Sequence, residues 1–449
     1  MKIFECLNLE SEKWALVTGW LLCAGAAAFP FSVAATNIAL GIALISGMVS
    51  GQMLKGAKLF WHGHRWLAAS MLFYWGLLAL GLVWSNDVDW GLHVLGRQWF
   101  WLLVPLAVTA LASDIWRNRF LGALSLGLTL HLGFCLLQML GYVNVTTTAS
   151  TTLNATGHIG HIGFGVVYGI WAGWLLHWGW EQPGLRRQVA WALSLWAWAM
   201  IFAAQGRSGY LVAVTVIFVV LWKHLLSGHS WQRACITVGL FLGVIGMLIA
   251  GPGKERAQET WHSFKAFQQG GLAHAEPRWS LWFSAIETWK SHPVLGVGTG
   301  GFPKAADQVK KQWPEFNYDD LVELRDLEKY GPLGTVLRMK TVHPHNMYLF
   351  SLARWGIAGV VALGLLLVLW ICTGWRLDWS KLQAGPLITL SGVALAVHGL
   401  SSASLEEHFS SILAALLLGV GLAEMINKPV SDHVRVAESS PIPPVEAPS

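Results

Sequence analysis

The stretch "GIAGVVALGLLLVLWICTG", residues 356–374, decides the fold class. It runs nineteen residues without a charged side chain. As a helix it is long enough to cross the apolar core of a bilayer, which takes about 20 such residues. The same reading repeats along the chain, with spans expected near 14–32, 33–51, 66–84, 98–112, 120–141, 161–179, 189–205, 209–226, 234–251, 356–374, 383–400 and 408–426. Composition agrees. Of 449 residues, 54% are hydrophobic and 12% charged, whereas a soluble domain carries about a quarter charged. The 28 tryptophans suit a lipid–water boundary, where indole rings settle. The expected fold is therefore an all-α polytopic membrane protein of about twelve transmembrane helices. The segment "CAGAAAF" (Cys23–Phe29) looks like a signal-peptide cleavage site, but a second span follows at once, so a retained helix is expected.

Lysine and arginine placement orients these spans. Lys2, Lys13, Lys55, Lys58, Arg65, Arg117, Arg119, Arg186, Arg187, Lys223, Arg233, Arg376, Lys381, Lys428 and Arg435 fall on one side. The opposite short connections carry only Arg97 and Arg207. Both termini are thus expected in the cytoplasm. The formal net charge of +5 reads as topology. No basic stripe interleaved with aromatics suggests nucleic acid, and no Walker-type phosphate loop suggests an ATP-driven pump. Cys6, Cys23, Cys135, Cys235 and Cys372 show no CxxC spacing, so inert buried thiols are expected.

The expected organisation is an N-terminal transmembrane bundle over 1–251, a large non-cytoplasmic loop over 252–345, C-terminal transmembrane helices over 346–426 and a tail over 427–449. The loop contains "RWSLWFSAIETWK" (Arg278–Lys290), which reads as an amphipathic helix lying against the membrane surface. The tail "ESSPIPPVEAPS" is rich in Pro, Ser and Glu and reads as disordered.

The outward-facing polar groups form a short list. Arg207, in "AQGRSGYL", sits where the positive-inside bias disfavours arginine. It either snorkels to lipid headgroups or meets an anion, for which a planar guanidinium fork suits a phosphate. Arg278 opens a helix behind a proline, a place that favours anions; an ion pair with Glu276 is the plainer reading. In "VHPHNMYLF" (Val342–Phe350), His345 lies at a span edge, and an imidazole near its ordinary pKa of about 6.5 can accept a proton. His343 is its neighbour. Asn346 orients a sugar or caps the following helix. His158 and His161 share a spacing of i, i+3 with no acidic or cysteine partner in sequence. In "NDVD", Asp87 and Asp89 read as a metal-binding pair or as a polar helix-end loop.

Taken together, these residues resemble the bacterial O-antigen ligase superfamily, which includes O-antigen polymerases and protein O-oligosaccharyltransferases. An Arg-x3-Leu pattern matches Arg207–Leu211. A His-Asn-x9-Gly pattern matches His345, Asn346 and Gly356, with Gly359 beyond. "HPVLGVGTGGF" (His292–Phe302) resembles the family's Gly-rich segment ahead of the histidine. The resemblance implies an O-antigen ligase of the bacterial inner membrane with its active site facing the periplasm. Such an enzyme transfers a glycan from undecaprenyl diphosphate to a hydroxyl of lipid A–core oligosaccharide. It implies His345 as catalytic base and Arg207 and Arg278 as diphosphate-binding residues. Asn346, His343, His161 and Arg97 are further candidate contacts to donor or acceptor, His343 falling outside the family pattern. No metal and no cofactor are implied, and inversion at the sugar is expected. Polymerases and pilin-modifying oligosaccharyltransferases share the fold and differ in acceptor; little chain follows the last span here, which favours the ligase. A polysaccharide transporter is the alternative of another class, for which His131 and His398, inside spans, are the best evidence.

Overall fold

The computed structural model describes residues 2–145, 150–204, 206–226, 277–311 and 342–427, with isolated positions between 239 and 265. The expected span 234–251, much of the expected loop, Glu276 and the 428–449 tail lie outside the described residues. All regular structure among the described residues is helical: α1 (Lys2–Ala28), α2 (Val33–Val49), α3 (Gln52–Gly63), α4 (Arg65–Leu80), α5 (Val88–Gly96), a 3₁₀ turn (Arg97–Leu102), α6 (Leu103–Ala110) and α7 (Asp114–Met139). Then come α8 (Gly160–Glu181), α9 (Gly184–Ala203), α10 (Arg207–Leu221) with a closing π turn (Trp222–Leu226), α11 (Pro277–Ser291), α12 (Phe302–Lys311), α13 (Met347–Trp375), α14 (Pro386–His398) and α15 (His408–Asn427).

The bundle is apolar outside as well as inside. Along α13, Ile357, Val361, Leu365 and Val368 are exposed at helical spacing, and Ile38, Ile42, Ile45 and Val49 do the same on α2. In water such stripes would drive association; facing lipid they need no partner. By length and apolarity, α7, α13 and α15 each suffice to cross a membrane, and α2 with α3 makes a fourth if a bend of 85° is allowed. Inside, close packing comes from small residues, as expected where burial from lipid gives little driving force. Gly165, Gly169 and Gly173 line α8 against α10, and a Cβ at Gly165 would sit 2.2 Å from the Gly209 Cα.

Hydropathy misreads one expected span. Residues 98–112 form the 3₁₀ turn and the eight-residue α6, whose side chains are nearly all buried against α3 and α15. A run this short serves as a core helix, and a hydropathy window cannot tell protein surroundings from lipid. The expected surface helix also finds a protein partner. Leu281, Ser284, Ala285 and Thr288 of α11 are buried, and α11 packs on α13 and α12.

The connections gather into two polar ends. One collects Arg97, the starts of α8, α10, α11 and α13, and the α14–α15 connection. The other collects the start of α7, the ends of α8, α10 and α15, and the α13–α14 connection. At this second end the Glu424 carboxylate accepts hydrogen bonds from the Gln383, Ala384 and Gly385 amides at 3.1, 2.7 and 2.8 Å. It thereby satisfies donors at the start of α14 that helix geometry leaves unpaired. The buried Arg117 guanidinium lies 3.7 Å from the same carboxylate.

Candidate active site

The His345 region is positioned by a break in α13. Gly356 sits at φ 60°, ψ −148° inside the helix, a conformation essentially confined to glycine. The break frees carbonyls that a continuous helix would occupy, and the 292–302 segment fills them. The Val297 and Gly298 amides donate to the Ala353 and Arg354 carbonyls at 3.0 and 2.8 Å, and the Ile357 amide donates to Pro293 at 3.3 Å. Thr299 extends the joint to α4: its amide reaches the Gly81 carbonyl at 3.0 Å and its hydroxyl the Leu78 carbonyl at 2.7 Å. The Gly-rich segment is thus a main-chain plug in a broken helix.

Just before α13, His345 has φ 51°, the one positive φ outside glycine among the described residues. Asn346 holds it there. Its Oδ1 accepts the Tyr348 and Leu349 amides at 3.0 and 2.9 Å, and its Nδ2 donates to the Leu400 carbonyl at 2.9 Å. The next amide, Met347, donates to Gly399 at 2.7 Å. Of the two readings open from the sequence, the cap is the one this geometry displays. Asn346→Ala should therefore cost about 1–2 kcal/mol, seen as a lower unfolding temperature in detergent.

Around His345 the neighbours are imidazoles and the cationic Arg278. The His343 ring meets it edge-on, with centroids 4.3 Å apart. Burial foremost, then the His343 ring, the Arg278 guanidinium and the His161 ring, hold the His345 imidazole down at about 4. Burial, Arg354 and Arg97 hold His343 at about 4 as well. Both rings are therefore neutral at neutral pH, and the surroundings favour an anion. Arg278 lies within electrostatic range of His345, His161 and His398. It follows Pro277 in the first turn of α11, the positive end of the helix. Arg207 opens α10, and a Cβ at the preceding Gly206 would be 3.4 Å from the His161 carbonyl oxygen. Arg97 donates to the Glu406 carbonyl at 2.8 Å and faces His343.

Other sequence candidates fall elsewhere. Asp87 caps α5 through the Trp90 amide at 3.0 Å and pairs with Lys304 at 3.2 Å, the helix-end role. His158 parts from His161 and packs with Phe31, Phe134 and His131. His131 Nδ1 lies 2.8 Å from the Tyr168 hydroxyl, and His398 Nδ1 lies 2.8 Å from the Ser404 hydroxyl. Both are packed, hydrogen-bonded histidines.

Sequence reasoning missed the α14–α15 connection. Glu406 forms an ion pair with Arg354, and Arg354 is almost fully buried within electrostatic range of His343. Glu407 accepts a hydrogen bond from the Ser402 hydroxyl, and its Oε2 lies 3.9 Å from His398 Nδ1. Burial pushes the Glu407 carboxyl up to about 7, against the pull of the Ser402 and Ser410 hydroxyls and Arg97. The available signal was "SLEEHF" (Ser404–Phe409), an acidic pair on the side whose short connections carry few cations. Orientation rules count cations and pass over it.

A lipid-facing helical bundle with a basic, histidine-lined cluster at one polar end describes a multi-pass membrane protein equipped to handle an anionic substrate. Residues 192–364 match the Wzy_C family model, described as O-Antigen ligase. The matched segment runs from α9 into α13 and includes Arg207, Arg278, His345 and Gly356. No curated protein matches the chain. The match is to a family of glycosyltransferase-like enzymes.

Proposed function

We propose that the protein is an O-antigen ligase. It transfers a glycan from undecaprenyl diphosphate to a hydroxyl of lipid A–core oligosaccharide at the periplasmic face of the inner membrane. The observation that carries this reading is the His345 ring, fixed at the mouth of α13 among Arg278, His161 and His343. In the proposed step the acceptor oxygen attacks the anomeric carbon from the face opposite the diphosphate. His345 takes the hydroxyl proton as that bond forms. The carbon–oxygen bond to the diphosphate breaks, its electron pair passes to the leaving oxygen, and the configuration inverts. Arg278 and Arg207 hold the diphosphate and stabilise the charge it gains, an electrostatic role of the kind divalent ions fill in other transferases. An activated donor supplies the driving force, since a diphosphate is a good leaving group. The charge bias of the connections supports placing this end in the periplasm and both termini in the cytoplasm.

Purified protein given the lipid-linked glycan with lipid A–core, pilin or glycan alone should form product on lipid A–core. Adding Mg²⁺ or Mn²⁺ to metal-stripped protein should leave the rate unchanged. Product only on pilin, or only on glycan, would reassign the protein to a sister activity of the same superfamily. Arg278→Gln should raise the donor KM and lower kcat, together costing about 10²–10³-fold in kcat/KM. Arg278→Lys should recover only part of this, because an ammonium lacks the fork.

A further inference from the structure

The polar end opposite His345 holds a second cluster that the transfer chemistry leaves unused. His177 and Glu181 lie one turn apart on α8, at i and i+4, and so share a helical face. The π turn that ends α10 brings His224 against them; such turns recur at functional sites. One ligand atom from each of the three residues lies within 4.8 Å of the others.

The local hydrogen bonds already resemble a ligand shell. His177 is fully buried, and its Nε2 lies 3.1 Å from the Leu382 carbonyl. A carbonyl can only accept, so Nε2 carries the proton and the Nδ1 lone pair points at His224 Nε2, 2.9 Å away. Metal-bound histidines characteristically donate their other N–H to a carbonyl in this way. Two nitrogens bound to one Zn²⁺ at about 2.0–2.1 Å in tetrahedral geometry stand slightly further apart than this, so a small opening admits the ion. Both rings are held in place. Trp180 stacks on His224 at 4.7 Å and 6°, and Trp379 meets His177 edge-on at 5.6 Å. Lys223, the neighbouring cation, is tied to the Trp375 carbonyl.

We propose that His177, Glu181 and His224 bind one Zn²⁺ at the end of the bundle opposite His345, fastening α8, α10 and the α13–α14 connection together. Two imidazoles and a carboxylate suit that ion. The proposal is independent of the transferase reading.

The test uses full-length protein in detergent, stripped with a chelator and titrated with Co²⁺ as a spectroscopic probe, then with Zn²⁺. One equivalent of Co²⁺ should produce visible d–d absorption that Zn²⁺ abolishes, and Zn²⁺ should raise the unfolding temperature. Even outer-shell partners of a metal are worth about 10–100-fold in affinity, so His224→Gln should weaken binding by at least about 100-fold. Glu181→Gln, at an exposed position that folding tolerates, should weaken it similarly and erase the Zn²⁺ stabilisation. His345→Asn should bind Co²⁺ as the unaltered protein does. Absence of Co²⁺ absorption, or affinity unchanged in both His224→Gln and Glu181→Gln, would overturn the proposal. His177 and His224 would then be a hydrogen-bonded pair.

Discussion

His345→Asn should slow glycan transfer by about 10²–10⁴-fold, the usual contribution of a positioned general base, with donor affinity changed only a few-fold. Asparagine is the informative replacement because it tolerates the positive φ that this position adopts. Loss of rate then reports the imidazole rather than the backbone. The pH dependence carries a second signature. The base must be neutral, so rate falls as pH drops through the pKa of His345. In the free protein that value is about 4, because burial and cationic neighbours disfavour the charged ring. A bound diphosphate reverses the sign of the nearby charge and raises it. The limb due to His345 should therefore lie near pH 4 in kcat/KM, which reports free enzyme, and higher in kcat, which reports the complex. Glu407, held near 7, can add a separate inflection, which Glu407→Gln should remove. Near-normal turnover by His345→Asn would end the assignment.

Gly356→Ala should be the most damaging conservative change near the site. Its Cβ would stand 2.2 Å from the Val294 carbonyl oxygen, at backbone angles alanine avoids. Backbone strain of about 1–3 kcal/mol adds to overpacking of about 1–3 kcal/mol. A loss of about 2–6 kcal/mol is expected, together with loss of transfer as the 292–302 plug is displaced. Gly364→Ala is the control within the same helix. Nothing lies within 4 Å of its added Cβ, so it should be neutral or slightly stabilising. Thermal unfolding of the three proteins in one detergent checks this. Equal transition temperatures for Gly356→Ala and Gly364→Ala would show that the break in α13 is dispensable.

Much of the architecture was readable because lipid imposes a length and a composition on a helix. The readable parts include α7, α13 and α15, the helical character throughout, and the turn between α9 and α10 that carries Arg207. Reading failed where protein replaces lipid as the surroundings. The 98–112 run is as oily as a span, yet it breaks into short pieces packed inside the bundle. The sequence also separated His345 from His343 only through family resemblance, whereas the structure distinguishes them by φ. Glu407 was missed because its environment comes from Ser402, Ser410 and His398, which a linear reading treats as ordinary helix-end residues. The two readings of Asn346 were chemically equal on paper; only the Leu400 and Leu349 contacts separate them.

The plug in α13 also bears on how the protein can diversify. Its joints to Ala353, Arg354 and Ile357 are made between main-chain atoms, so they specify glycines and leave the surrounding side chains unspecified. Side chains around the plug can therefore be exchanged without shifting the backbone that carries the His345 imidazole. The scaffold separates the part that must stay rigid from the part that sets selectivity. Substitutions at this end of the bundle should therefore be made in side chains and leave the glycine framework alone.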